Sequence, residues 1–361
     1  MSPSEFGRKV LIYLGTALLM LLPFAAAPLV AEGILRLRKP SGVVLLQPCV
    51  RWGDRLLHHA YIPRCASYMI VNRQRVLYSF NEDGLRDRPA KVFKDGAIHA
   101  YGDSVVKGLY MNATETIPAI LERELKDETG WPVLNAGLRF SSFTNQYLLF
   151  RKIVDHYPPK AVILFVNGTD IIDERFFRTN AASVDENGVP TSFVNPDDGY
   201  WVDRLVSFFH LNFPRSRLAN RLVYQIRYFD WGSQLPKFPP NRENLCGGLF
   251  RFANEVKKYD VPLIFVFLPH WPDAIGAYFY KMAPYDPAHL DIMKTCARET
   301  QGTVIDLTTV ESELKPEYFI VDQIHYSRAG LDWLMPKMIP PIREALKSRL
   351  HLDSGGAKIK K

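Results

Sequence analysis

Ala97-Ile98-His99-Ala100-Tyr101-Gly102-Asp103-Ser104 is the stretch on which the reading of this chain turns. A short, mainly apolar run reads as a buried strand, and serine or aspartate directly behind it is the usual start of a helix. Working outward, four more such runs follow, at Val133 to Asn135, Ala161 to Val166, Pro262 to Leu268 and Thr303 to Leu307. Amphipathic stretches lie between them. Ile117, Ile120, Leu121 and Leu125 recur at helical spacing with Gly130 as a stop, and Leu331 to Leu346 closes the series. This alternation predicts βαβ units, hence an α/β domain whose doubly wound, parallel, five-stranded sheet is the middle of three layers. In such a sheet, sites form in the crevice at the carboxyl ends of the strands, where the polar turns of this chain fall.

Ser104 is a candidate nucleophile as well as a candidate helix cap. A serine hydroxyl is a poor nucleophile at neutral pH and needs a positioned imidazole to take its proton. Asp322-Gln323-Ile324-His325 supplies one. His325 is the candidate base, and Asp322, three residues earlier, can hold the far ring nitrogen and fix the tautomer. His270 is the rival, because Leu268-Pro269-His270-Trp271 also ends a run at the same face, but it has no aspartate nearby in sequence and reads as a pocket residue. His99 is expected to face into the sheet, and His58-His59 come too early. No histidine and acid cluster has metal-ligand spacing and no glycine-rich phosphate loop follows a strand, so no metal or cofactor is expected.

Two further blocks lie between these ends: Val133-Leu134-Asn135-Ala136-Gly137 and Phe165-Val166-Asn167-Gly168-Thr169-Asp170. With the Gly-Asp-Ser and Asp-x-x-His blocks, in this order over roughly residues 97 to 347, the chain resembles the SGNH/GDSL hydrolase superfamily. The resemblance implies a flavodoxin-like sheet and a serine esterase or acyltransferase acting through an acyl-enzyme. It implies an oxyanion site made by the backbone N–H groups of Ser104 and Gly137 and one side chain. Thr169 stands where the family has asparagine, and Asn167 lies two residues earlier; either can be the side-chain donor. Anchored members of the family include envelope polysaccharide esterases and O-acyltransferases that work beside multispan membrane partners. The implied function is hydrolysis of O-acyl esters, foremost O-acetyl esters, on an acylated envelope carbohydrate. The alternatives are a glycan O-acetyltransferase paired with a membrane acyltransferase and a catalytically silent assembly protein of the same fold. Members of the family also carry a turn like Asn81-Glu82-Asp83-Gly84-Leu85-Arg86 before the catalytic domain, which is assigned to structure.

Four segments precede, interrupt or follow this frame. Residues 1–40 contain Val10 to Ala31, 22 residues without a charge, which is long enough to span a bilayer as a helix. Its small-residue sites are poorly placed for signal peptidase, so an uncleaved, single-pass signal anchor in the cytoplasmic membrane is expected. Arg8 and Lys9 before the span and Arg36, Arg38 and Lys39 after it leave the charge rule undecided. The short N-terminal flank favours a catalytic domain facing the periplasm or cell exterior. Residues 41–95 read as a β-rich prelude and 96–350 as the hydrolase-like domain. That domain is interrupted at 171–245 by a stretch rich in aromatics and arginine, either a lid for a glycan or membrane partner or a pair of helices with an ordinary buried face. Residues 351–361 form a basic tail. Of the net charge of +7, the first forty residues carry +3 and the tail +2. The middle of the chain is therefore nearly neutral, and nucleic acid is not an expected partner. Cys49 and Cys65 can form a bridge in an oxidising compartment, the alternative being four buried thiols with Cys246 and Cys296.

The anchor has a direct test. Full-length protein is expected to stay with the membrane fraction through high-salt and carbonate washes, with its catalytic domain open to protease from the non-cytoplasmic side. Soluble protein starting near Glu32 would instead show a cleaved signal peptide.

Overall fold

The computed structural model describes residues 26–34, 49–71, 74–194, 241–270, 287–320 and 324–354, and singly 13, 16 and 218. Two antiparallel hairpins come first, β1 (Val50–Asp54) with β2 (His58–Tyr61) and β3 (Ala66–Val71) with β4 (Gln74–Ser79). The sheet strands are β5 (Ala97–Gly102), β6 (Val133–Gly137) and β7 (Pro159–Val166), then, after a small hairpin of β8 (Ala181–Val184) and β9 (Pro190–Phe193), β10 (Leu263–Phe267) and β11 (Thr303–Asp306). The five sheet strands are all parallel, in the order β11-β10-β7-β5-β6. The expected doubly wound α/β sheet is therefore present, and its five strands coincide with the five apolar runs. From β5 the chain first adds β6 on one side and then crosses to β7 on the other. That reversal opens a crevice beyond the ends of β5 and β7.

Alternate residues of these strands feed two cores. Ile98, Ala100, Ile163 and Val266 pack with α2 (Ile117–Thr129) and the long C-terminal helix (Arg328–Ser354); Tyr101, Leu164 and Phe265 pack with the helices Phe143–Ile153, Arg242–Lys257 and Pro287–Glu299. Helix α2 illustrates the local logic. Thr116 caps it by accepting the N–H of Ala119, Pro118 sits in its first turn where no donor is needed, and Gly130 ends it in a left-handed conformation. Leu121 and Leu125 on its inner face are fully buried, each contributing about 2 kcal/mol. The prelude joins the second core through Tyr61, Val76, Tyr78 and Phe80.

Between β7 and the fourth sheet strand, helix Asp170–Thr179 buries Ile171 and Phe177, and Phe193 of β9 donates its N–H to Arg55 O at 2.8 Å. Residues 171–194 thus pack onto the body of the domain and the prelude. The aromatic and basic stretch from Trp201 to Trp231, apart from Leu218, lies outside the described residues, as do Gly42 to Leu46 and the tail after Ser354. Among the described residues no helix is long and apolar enough to cross a membrane. Most of Val10 to Ala31 lies outside them, with residues 26–34 helical.

Both cysteine pairs are bridged, Cys49 to Cys65 within the prelude and Cys246 to Cys296 between helices Arg242–Lys257 and Pro287–Glu299. The second bridge was not anticipated, because its partners lie 50 residues apart and only the packing of two helices brings them together. The chain-entropy model gives a bridge across such a loop about 4 kcal/mol. Replacing Cys246 and Cys296 with alanine should lower urea-unfolding stability by about that amount, and the parent should show no free thiol under denaturing, non-reducing conditions. A titratable thiol pair in the parent would refute the bridge.

Candidate active site

At the end of β5 the backbone reverses on Asp103. Its Oδ1 accepts the N–H of Val105 at 2.8 Å, which makes it the cap of α1 (Ser104–Lys107) and puts Ser104 at the first helical position. Its Oδ2 accepts the hydroxyl of Thr169 at 3.0 Å, tying this turn to the one after β7. Helix α1 ends at once. Gly108 adopts φ 76°, where a Cβ would lie 2.2 Å from Thr116 Cγ2, and Tyr110 follows with φ 75°, a conformation that costs a non-glycine residue about 1–2 kcal/mol.

His325 approaches from a segment 221 residues away, and its Nε2 lies 2.8 Å from Ser104 Oγ. The segment is anchored around it: Ile320 N–H donates to His325 O at 2.9 Å, and Phe319 and Tyr326 pair in an antiparallel bridge. Ser104 and His325 are 8% and 7% exposed, reachable yet largely shielded from water. His270 is directed elsewhere, with Nδ1 2.9 Å from Glu311 Oε1. His99 is fully buried in the sheet beside Tyr101, and burial pushes its imidazole down to about 3. His58 and His59 belong to an aromatic cluster with Phe176, Phe177 and Phe193. Asp322 lies outside the described residues.

The remaining expected groups divide between engaged and unengaged. The Thr169 hydroxyl has one proton, and the acceptors around it are Asp103 Oδ2 at 3.0 Å and Asn167 Oδ1 at 2.6 Å. Asn167 Oδ1 also takes the Thr169 N–H at 2.8 Å, which fixes the orientation of the amide. The other end of that amide, Nδ2, makes no hydrogen bond among the described residues. Gly137 gives its N–H to Asn135 Oδ1 at 3.1 Å. Its lack of a side chain serves packing, since a Cβ would lie 2.3 Å from the Lys107 N. The glycine expected to face an oxyanion is also the seat on which α1 rests, and here its N–H is directed to Asn135 Oδ1.

Behind Ser104 sit several buried charges. Asp170 takes the Asn167 N–H on Oδ2 at 2.8 Å, while its Oδ1 is buried without a partner. Burial first, and the charge of Asp103 second, push the carboxyls of Asp170 and Asp173 well up. At the other end of α1, Lys107 is 1% exposed, its Nζ 2.5 Å from Tyr61 Oη and 3.8 Å from the centre of that ring, with Tyr78 and Phe80 further out. No carboxylate pairs with it among the described residues, and burial pushes its ammonium well down. Arg86, buried beside it, donates to the carbonyls of Lys107, Gly108, Met111 and Leu77. Sequence reasoning found the turn that carries Arg86 and not its target. Lys107 gave no signal, because its aromatic cage comes from prelude residues more than 25 positions earlier.

No family model matches this chain, and no curated protein matches it. Solved structures do. A carbohydrate acetylesterase family member from Sinorhizobium meliloti is 12% identical, with a TM-score of 0.42 over 70% of this chain and 99% of its own. The psychrotrophic esterase EstA from Pseudoalteromonas sp. is 10% identical, with a TM-score of 0.42 over 70% and 100%. AlinE4, an SGNH-hydrolase family esterase, is 15% identical, with a TM-score of 0.37 over 70% and 96%.

Lys107 gives a prediction of its own. An unfolded lysine keeps its proton to about pH 10.4, whereas the folded ammonium is destabilised. Between the two pKa values the unfolded chain binds more protons, so this residue makes stability rise with pH up to that limit. Unfolding midpoints measured from pH 7 to about pH 10 should rise more steeply for the parent than for Lys107→Met. Parallel curves would mean that Lys107 is not held as a destabilised cation.

Proposed function

We propose that this chain is a serine esterase of the SGNH/GDSL kind that cleaves O-acyl esters, foremost O-acetyl esters on an envelope glycan. The observation that carries the reading is the 2.8 Å approach of His325 Nε2 to Ser104 Oγ at the switch point of the sheet. Ser104 Oγ attacks the acyl carbon as its proton passes to His325 Nε2. The imidazolium then protonates the leaving alcohol, water attacks the acyl-enzyme with its proton taken by the same nitrogen, and the acid departs with Ser104 restored. Asp322 is the carboxylate assigned to hold His325 Nδ1.

For the oxyanion, the donors are the backbone N–H of Ser104 and the Asn167 amide Nδ2. The first N–H groups of a helix have no partner within it, which leaves that of Ser104 available at the mouth of the crevice. The β5–β7 register pairs Tyr101 with Leu164, so both turns leave the sheet at the same edge, and the Asp103–Thr169 bond ties them together. Thr169 acts as the clamp on Asn167 Oδ1 rather than as the donor. Two bridges within the described chain fit a domain that works in an oxidising compartment outside the cytoplasm. The glycan assignment draws on the aromatic and basic segment after β7 and on the apolar N-terminal span.

Ser104→Ala and His325→Ala should each remove nearly all hydrolysis of p-nitrophenyl acetate and, for Ser104→Ala, all labelling by a fluorophosphonate, with folding intact. Parent-like turnover in Ser104→Ala would overturn the reading. Asn167→Ala should lower kcat by about 10²- to 10³-fold with little change in KM, because the bond strengthens only as charge develops. Thr169→Val should cost less. A damaging Thr169→Val beside a tolerated Asn167→Ala would move the donor to Thr169.

A further inference from the structure

We infer that Tyr110 is a positioning residue for His325, and that the N-terminal prelude sets it through Tyr78 and Arg86. The inference rests on the esterase reading of Ser104 and His325. The Tyr110 ring meets the His325 imidazole edge to face, with centroids 5.1 Å apart at 85°. The imidazole is therefore bracketed between an aromatic ring and the hydroxyl it must deprotonate, in a segment whose described residues are held by the Phe319–Tyr326 bridge.

Tyr110 meets the imidazole from a left-handed backbone conformation, φ 75°. Nothing in its own tripeptide favours this, and the restraint comes from outside the domain. Tyr78 Oη, on β4, accepts the Tyr110 N–H at 2.7 Å. Arg86 gathers the carbonyls of Lys107, Gly108 and Met111, so the turn on both sides of Tyr110 is gripped by one guanidinium. That guanidinium lies 4.0 Å above the Tyr78 ring, which links the two grips. The chain of contacts runs from β4 to Tyr110 and from Tyr110 to the base. It uses no atom of Ser104.

A residue that orients the base affects turnover and leaves ground-state binding alone, because a small misplacement of the imidazole weakens proton transfer without touching the ester. Tyr110→Ala should lower kcat for p-nitrophenyl acetate by on the order of tenfold or more, with KM within about twofold. Tyr110→Phe keeps the ring and should restore kcat. Tyr78→Phe removes the acceptor for the Tyr110 N–H and keeps the ring under Arg86; it should lower kcat several-fold with KM again unchanged. If Tyr110→Ala does not fold, Tyr78→Phe decides alone. Parent-like kcat in these variants, or a raised KM at constant kcat, overturns the positioning role while leaving an active, fluorophosphonate-labelled parent and the esterase reading intact. A parent that neither turns over the ester nor takes the label overturns the esterase reading, and the positioning role with it.

Discussion

The carboxylate of Asp103 is the constraint on which the site depends. It binds the Val105 N–H with one oxygen and the Thr169 hydroxyl with the other. The first bond sets where α1 begins and so where Ser104 stands; the second ties that point to the turn after β7. The sheet reverses its strand order between β5 and β7, and the Asp103–Thr169 bond crosses that switch point beyond the last backbone pairing of the two strands. A charge-assisted bond to a buried carboxylate is worth about twice a neutral one, and its cost if broken is larger still. The same Thr169 holds Asn167 Oδ1 through its backbone N–H, so nucleophile turn and amide are positioned by one connected set of bonds.

The prelude belongs to the same mechanical unit. Tyr61, Tyr78 and Arg86 all reach the far end of α1, where Lys107 is buried among aromatic rings and Gly137 leaves room for its backbone. A helix of four residues has one or two internal hydrogen bonds and is not stable alone. Its rigidity has to come from neighbours, and here they lie on both sides: the β6 glycine below and the prelude beyond its C-terminal end. A positive charge there would suit the negative end of the helix, but burial pushes the Lys107 ammonium well down and no carboxylate among the described residues pairs with it.

The parts legible in sequence were those that repeat or stand in fixed order. Five apolar runs became five parallel strands because a strand buried on both faces must be apolar along its length. Ser104 and His325 were legible because a serine behind a strand and a histidine near the end have a chemical reason to meet. The unread parts are all contacts between distant segments. Gly137 reads in sequence as a donor, and only the approach of Lys107 at 2.3 Å to its missing Cβ shows why glycine is needed there. Thr169 and Asn167 could not be ranked as donors, since the decision rests on which atoms of the amide face the Thr169 N–H and hydroxyl. Arg86 was legible as part of a turn, whereas its four carbonyl partners depend on the hairpin and the nucleophile turn meeting in space.

Asp170, Asp173 and Glu174 are buried behind the nucleophile turn. A developing oxyanion about 6 Å from a full negative charge is opposed by about 3 kcal/mol at an effective dielectric of 20. Asp103, Asp170, Asp173 and Glu174 would together be prohibitive if all were ionised. Glu174 is tied up by the Thr144 N–H and hydroxyl and lies near Arg178. Asp170 and Asp173 are pushed towards their neutral forms by burial and by Asp103 itself. Asp103 uses both of its oxygens as acceptors, one for the Val105 N–H and one for the Thr169 hydroxyl. The turn is thus held by one carboxylate with both oxygens engaged, while Asp170 and Asp173 behind it are pushed towards the neutral form.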